Sequence, residues 1–349
     1  MASAQRSLPP LGDLPPAPAD PRQGTPPRLP GSVRRTSHLN MTWPDGLGGE
    51  ARIDAAARDL VTPRSGVPVP DGEAELHVTV GSGRVLTRID ATPAPEGLRG
   101  LTGHSGGSGY RRLLRDLLPA EAESGSPLHF LLDDIPGVTL VGPFAWRLWP
   151  KAVEHLRRLS RGPDRNDAGM RGFDRMRDIC SGLRSDGLPI QRMISGEDPQ
   201  HNLVPARDLA QPGDPLAWHP IAGQPDGAPL MRRRRLVDVA AGPELVITSI
   251  FRDSIWGPDR VETCVHEYGL RATADPVTMR LTSIKADPRV LPFGTCPVAG
   301  ENVGLLLGEP VRTLRDRVIE LIAGTDGCTH LNDALRSLAE VPVLAGKLG

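Results

Sequence analysis

The chain has 349 residues, with 41 Lys plus Arg against 42 Asp plus Glu for a net charge of -1, and is 38% hydrophobic and 24% charged. That size supports one large or two medium cores without disulfide or metal staples, and so even a charge balance sets up no field that would draw the protein to nucleic acid or anionic lipid. The longest apolar region, about residues 128–149, is cut by Asp133, Asp134, Pro136, Pro143 and Arg147, so no membrane span is expected.

Residues 1–33 carry nine prolines among Ala, Ser, Gly and Arg, a composition that buries too little apolar surface to offset ordering and predicts a disordered arm. From Arg34 short alternating runs separated by Gly, Pro and Asp predict antiparallel strands, with a hairpin made of 74–80, Gly81-Ser82-Gly83 and 85–90. A glycine-rich loop, 103–109, precedes an amphipathic helix at 110–118, and a second helix starts near His129. Residues 146–228, rich in Arg, Asp, Gly and Pro with one helical piece near 150–159, read as an irregular insertion or lid. Strands are then expected at about 230–239, 244–251, 262–273 and 277–286, and helices at 311–323 and 329–338. Tyr110 and Val311 open comparable helices, and His129 and His330 open the next at the same spacing. The expected fold is therefore α+β, with two related antiparallel sheet-plus-helix units at 34–145 and 229–349 joined by the insertion.

Candidate chemistry concentrates where the last helix opens, at Gly327-Cys328-Thr329-His330-Leu331-Asn332-Asp333, with His266 and Cys296 upstream. Cys296, Cys328, His330 and His266 are ligand types that suit zinc or iron, although no Cys-x-x-Cys is present. A thiol in the first helical turn also meets the positive end of the dipole, which favours thiolate; His330 or His266 would then serve as acid or base, with Glu267 or Asp333 orienting the imidazole. The plainer alternative is packing, since a buried Cys behaves as a small hydrophobe. The four cysteines, Cys180, Cys264, Cys296 and Cys328, lie far apart and no secretory signal opens the chain, so free thiols in a cytoplasmic protein are expected.

Weaker signals complete the reading. The loop at 103–109 with Arg111 and Arg112 could cradle a phosphate, such as that of an acyl carrier like coenzyme A, but it matches neither a P-loop nor a dinucleotide fingerprint, and a flexible turn is the plainer reading. Arg232-Arg233-Arg234-Arg235 falls in a strand, where alternate side chains face opposite ways; pairing with Asp238 and other acids is expected rather than nucleic-acid binding. Asp133-Asp134 reads as a wet helix face, and His201 and His219 as solvated loop residues that a lid could bring to a site.

Over about residues 262–338 the chain resembles a bacterial family known only as a domain of unknown function, number 2889. Val265-His266-Glu267-Tyr268, Thr295-Cys296-Pro297 and Gly327-Cys328-Thr329-His330-Leu331 look like that family's signatures. Arg34-Arg35, Trp43-Pro44-Asp45-Gly46 and Gly109-Tyr110-Arg111-Arg112 resemble it more faintly, with the cysteines missing and only His129 kept. The resemblance implies a double-length member with a degenerate front copy, and it brings no activity. The leading expectation is an enzyme acting by acid-base, hydrolytic or lyase chemistry on a small, partly apolar molecule or acyl thioester. The catalytic residues would be His266, Glu267, Cys328 and His330, and the metal ligands, if zinc or iron is held, His266, Cys296, Cys328 and His330. The alternative is a noncatalytic binding or accessory protein in which the same residues hold a structural metal or pack; self-association is left open.

Overall fold

The computed structural model describes residues 16–150, 152–153, 176–195, 197–221, 223 and 228–348. Its strands are β1 (Ser32–Thr42), β2 (Ala51–Thr62), β3 (Val69–Val80), β4 (Leu86–Thr92), β5 (Val204–Pro205), β6 (Leu230–Ala240), β7 (Leu245–Trp256), β8 (Glu262–Ala274) and β9 (Leu281–Val290). All join one antiparallel sheet in the order β4-β3-β2-β1-β6-β7-β8, with β5 and β9 both against β8. Two meanders, β1 to β4 and β6 to β9, thus meet at the β1–β6 pair, which is in register from Ser32↔Ala240 to Thr42↔Leu230.

The helices are α1 (Tyr110–Leu117), α2 (Pro119–Ser124), α3 (Pro127–Val141), α4 (Leu188–Ile194), α5 (Val298–Glu301), α6 (Leu314–Leu321), α7 (Thr329–Arg336) and α8 (Val341–Gly346). The fold is α+β, as the alternating and helical patterns require. None of the described helices is long and apolar enough to cross a membrane.

Strand alternation sorts the side chains of β1 between two layers. Val33, Leu39 and Met41 enter the apolar cores under the helices, and Arg35 reaches the helix layer at Gly125 O and Glu340. Arg34, Thr36 and His38 point the other way, to Ala217 O and His219. Both faces being covered, β1 is buried along its whole length.

The cover on the far face corrects two expectations. From Pro16 the proline-rich arm is ordered. Its extended backbone cannot bond to itself, so it bonds to neighbours: Ala19 bridges Val290, the Asp20 amide donates to Arg289 O, and Arg28 grips Asp214 at 2.7 Å. Residues 206–219 of the insertion form a second layer there, with Leu209 and Trp218 packed on Leu236 and Ile250, while Ser181 and Gly182 sit on the helix side against Gly327 and Cys296. Most of the helical piece expected at 150–159 lies outside the described residues.

Two boundaries also move. Strand β7 continues past residue 251 to Trp256, carrying Arg252, Asp253 and Ser254, all fully buried, into the ladder. Strand β9 starts later than expected because Asp275 folds residues 275–280 into a turn, its carboxylate accepting from the amides of Val277 and Thr278. Asp133 and Asp134 are not a wet face: α3 packs across β1, β2 and β3, reaching β6 beside them, and is buried nearly all round, and the two acids meet arginines there.

Candidate metal centre

Three polar groups from three elements converge beneath the helix layer. Strands β7 and β8 place Asp253 directly opposite His266, just before a bulge that shifts the register at Ser254. The second residue of α7, His330, comes down from above, its ring stacked on His266 with centroids 3.5 Å apart and planes 17° apart. The α7 entrance is tight, since a Cβ at Gly327 would sit 2.5 Å from Ile322 O, so only glycine lets the chain turn there.

One ligand atom from each of Asp253, His266 and His330 lies within 4.8 Å of the other two. His266 Nδ1 is 3.6 Å and His330 Nε2 4.0 Å from Asp253 Oδ2, too far for hydrogen bonds. Both nitrogens are buried and without a partner. Burial lowers the pKa of both imidazoles, well below the usual histidine range for His330. Burial alone would raise Asp253, but the charge of Arg233 outweighs it and holds the carboxyl below the usual range. Two neutral imidazoles therefore face one carboxylate, the protonation state that a metal ion requires.

Arg233 fixes the carboxylate with paired bonds of 2.7 and 2.9 Å and also contacts Asp134 at 3.3 Å and Asp333 at 3.2 Å. It passes so close under α3 that a Cβ at Gly137 would fall 1.9 Å from its Nη1. The walls are aromatic. Phe251 lies 6.2 Å from His330, and Phe144 6.4 Å from His266. His201 from the insertion sits between Phe144 at 5.0 Å and Phe293 at 4.9 Å, its Nδ1 without a partner and its pKa lowered to about 4, chiefly by burial.

Of the residues singled out in the sequence, His266 and His330 meet and the others do not join them. Cys328 Sγ is 3.9 Å from His330 Nδ1, the nitrogen turned away from Asp253, and Cys296 packs in the apolar core. Burial pushes both thiols up, which overrides the helix dipole that would favour a thiolate at Cys328. Glu267 follows His266 along β8 and so faces the other layer, where it accepts from Arg252 at 2.6 Å and from the Arg22 amide at 2.6 Å. The carboxylate facing the imidazoles is Asp253, which sequence reasoning missed. Its one available signal was an Arg-Asp pair inside the apolar run Phe251-Arg252-Asp253-Ser254-Ile255.

The other candidates resolve as structure. Arg233 and Arg235 face the helices, Arg235 pairing with Asp134 at 2.5 Å, while Arg232 and Arg234 face the far layer and contact Asn40 and Glu262. Asp238 pairs with Arg34, at 2.6 Å, and not with the arginine run. His219 is buried on His38 and Thr36 rather than solvated. In the front meander Arg35 grips Asp59 with the same paired bonds, 2.6 and 2.7 Å, in the same cross-strand register. There, however, Lys347 occupies Asp59 at 2.8 Å and His129 is turned to Glu340 at 3.2 Å, so no second triad forms among the described residues.

No curated protein and no solved structure matches the chain. Residues 231–344, which contain all three groups of the triad, match the model of the family described as Protein of unknown function (DUF2889).

Proposed function

We propose that Asp253, His266 and His330 hold a catalytic metal ion, iron(II) or zinc, and that the protein is a metal-dependent enzyme acting on a small, partly apolar molecule. The observation that carries this reading is the convergence of two partnerless imidazole nitrogens on one carboxylate oxygen. A buried polar atom without a partner costs roughly 1–3 kcal/mol, and a metal would satisfy both at once. Ligand atoms on a common ion are roughly 3–3.4 Å apart, so the 3.6 and 4.0 Å separations to the carboxylate need a contraction, and the two stacked imidazoles, all ligand atoms lying within 4.8 Å, would turn out of their parallel planes to share the ion. Two His and one carboxylate leave coordination positions open, as catalytic sites do and closed structural sites do not. A water on the metal would supply the nucleophile or base. His201, packed between Phe144 and Phe293, would serve as a neutral proton acceptor, and the two rings would supply the apolar wall of the substrate site.

We further read the chain as two diverged copies in which the rear one kept the metal centre. The matching Arg35–Asp59 and Arg233–Asp253 pairs support this, as do the mirrored strand orders on either side of the β1–β6 seam. All four cysteines are free and buried, which suits a reducing compartment such as the cytoplasm.

Elemental mass spectrometry of the purified protein, with and without added iron(II) or zinc, tests the reading. One metal per chain is expected in the wild type and in Cys296→Ala and Cys328→Ala, and less than a tenth of that in His266→Ala and His330→Ala. A wild type that takes up no metal, or retention in the histidine variants with loss in the cysteine variants, would overturn it.

A further inference from the structure

A separate cleft of about 410 Å³ opens between the start of α1, the middle of α3 and the outer face of α7. Its walls hold four arginines, Arg84, Arg111, Arg112 and Arg336, against one carboxylate, Asp333. That carboxylate is already shared by Arg111 at 2.7 Å and Arg233 at 3.2 Å, and Asp133, behind the wall, faces Arg111 at 3.1 Å and Arg336 at 3.9 Å, so Arg84 and Arg112 are left without a carboxylate among the described residues. Every hydrogen bond of the Arg84 guanidinium goes to a neutral oxygen, on Thr139, Gly106 or Pro136. Arg112 is exposed and has no carboxylate partner among the described residues. Arg336 is only 3% exposed; its Nη1 donates to Arg315 O and its Nη2 lies 3.9 Å from Asp133, but its buried Nε has no acceptor.

The backbone adds to this positive set. Gly109 caps α1 without a side-chain bond, and although the Tyr110 and Arg112 amides donate to Gly107 O and Gly109 O, the Arg111 amide between them has no backbone acceptor, so the start of α1 brings one open amide to the cleft. Several arginine forks with an open helix amide match the several acceptor oxygens of a phosphate better than the two of a carboxylate. A cleft this small, with no aromatic in its walls, does not suit a nucleic-acid strand.

We propose that this cleft binds the phosphate of a small phosphorylated molecule. The front meander and its helices supply Arg84, Arg111 and Arg112, outside the stretch that matches the family model, so the site belongs to this chain's own arrangement. It is a separate site from the metal centre: Gly137 and Arg233 lie between them, Arg233 bonding Asp333 on one side and Asp253 on the other.

Calorimetric titration with inorganic phosphate, against chloride at matched ionic strength, tests the proposal. Saturable binding is expected, weakened on the order of tenfold or more in Arg112→Gln, the loss of about one charge-assisted bond, and also in Arg84→Gln. Arg112 is on the surface, so its variant decides the matter should Arg84→Gln fail to fold. Binding should persist in His266→Ala. No saturable binding would overturn the proposal, as would equal binding in Arg112→Gln, or a loss in His266→Ala with Arg112→Gln unaffected, which would put the anion on the triad's metal instead.

Discussion

Asp253 holds a guanidinium with both oxygens and offers the outer side of one of them to two imidazoles. Its removal therefore acts twice. Asp253→Ala leaves Arg233 buried with only its longer contacts to Asp134 and Asp333 and should cost about 3–5 kcal/mol in urea unfolding. His330→Ala removes a ring whose Nε2 has no partner and should cost clearly less, although both variants would lose the proposed metal site. Equal losses would show that Arg233 does not depend on Asp253. Glu340 carries a second residue-scale consequence. Burial would raise its pKa, but Arg315, His129 and Arg35 together bring it down to about 2 from an ordinary 4.5. A depressed acid contributes its stability in full above its unfolded pKa and loses it as pH falls toward the folded one. Roughly 3 kcal/mol should thus disappear between pH 4.5 and 2, and denaturation midpoints of Glu340→Gln should be flatter across that window.

The elements of the far face are joined through a histidine pair. His219 Nε2 lies 2.6 Å from His38 Nδ1, and its Nδ1 2.8 Å from Thr36 Oγ1, tying the insertion to β1. Burial lowers His38 to about 2, helped by the neighbouring His219, and His219 to about 3, helped by Arg58. Both folded values lie below the ordinary 6.5, so the neutral pair contributes fully above that pH and progressively less below it. At pH 5 the loss is on the order of 2 kcal/mol per histidine. Amide exchange across residues 206–219, corrected for its intrinsic pH dependence, should then be faster at pH 5 than at pH 7, and His219→Gln should roughly halve the difference on a free-energy scale, since His38 remains. Protection that does not change with pH in the wild type would show that the insertion is held by Leu209, Trp218 and the Arg28–Asp214 pair alone.

Across the whole molecule the two meanders depend on each other through one seam. Arg34 on β1 reaches Asp238 on β6, and Arg232 on β6 reaches Asn40 on β1, in mirrored positions of the same register. Part of this is legible in the chain, where the equal spacing of Tyr110 to Val311 and of His129 to His330 suggests two units; that Arg34-Arg35 corresponds to Arg232-Arg233 and Arg58-Asp59 to Arg252-Asp253 emerges only from the strand registers. The His266–His330 half of the centre was legible because His330 opens a helix beside a cysteine and His266 lies in a run that resembles a family signature. Asp253 was not, since an acid's partner across a ladder depends on register, and a one-residue slip would have turned Asp253 to the far face. Nor could composition show that residues 16–31 are ordered, because their partners lie on distant elements. The seam leads to a last expectation. A fragment of residues 228–349 would contain the whole triad but expose β6 as a full-length edge and leave Arg235 without Asp134. It should precipitate or pair with a second copy along β6, giving a dimer by light scattering. A monomer that unfolds cooperatively would mean that the rear meander is stable without its neighbour and that the seam serves something other than stability.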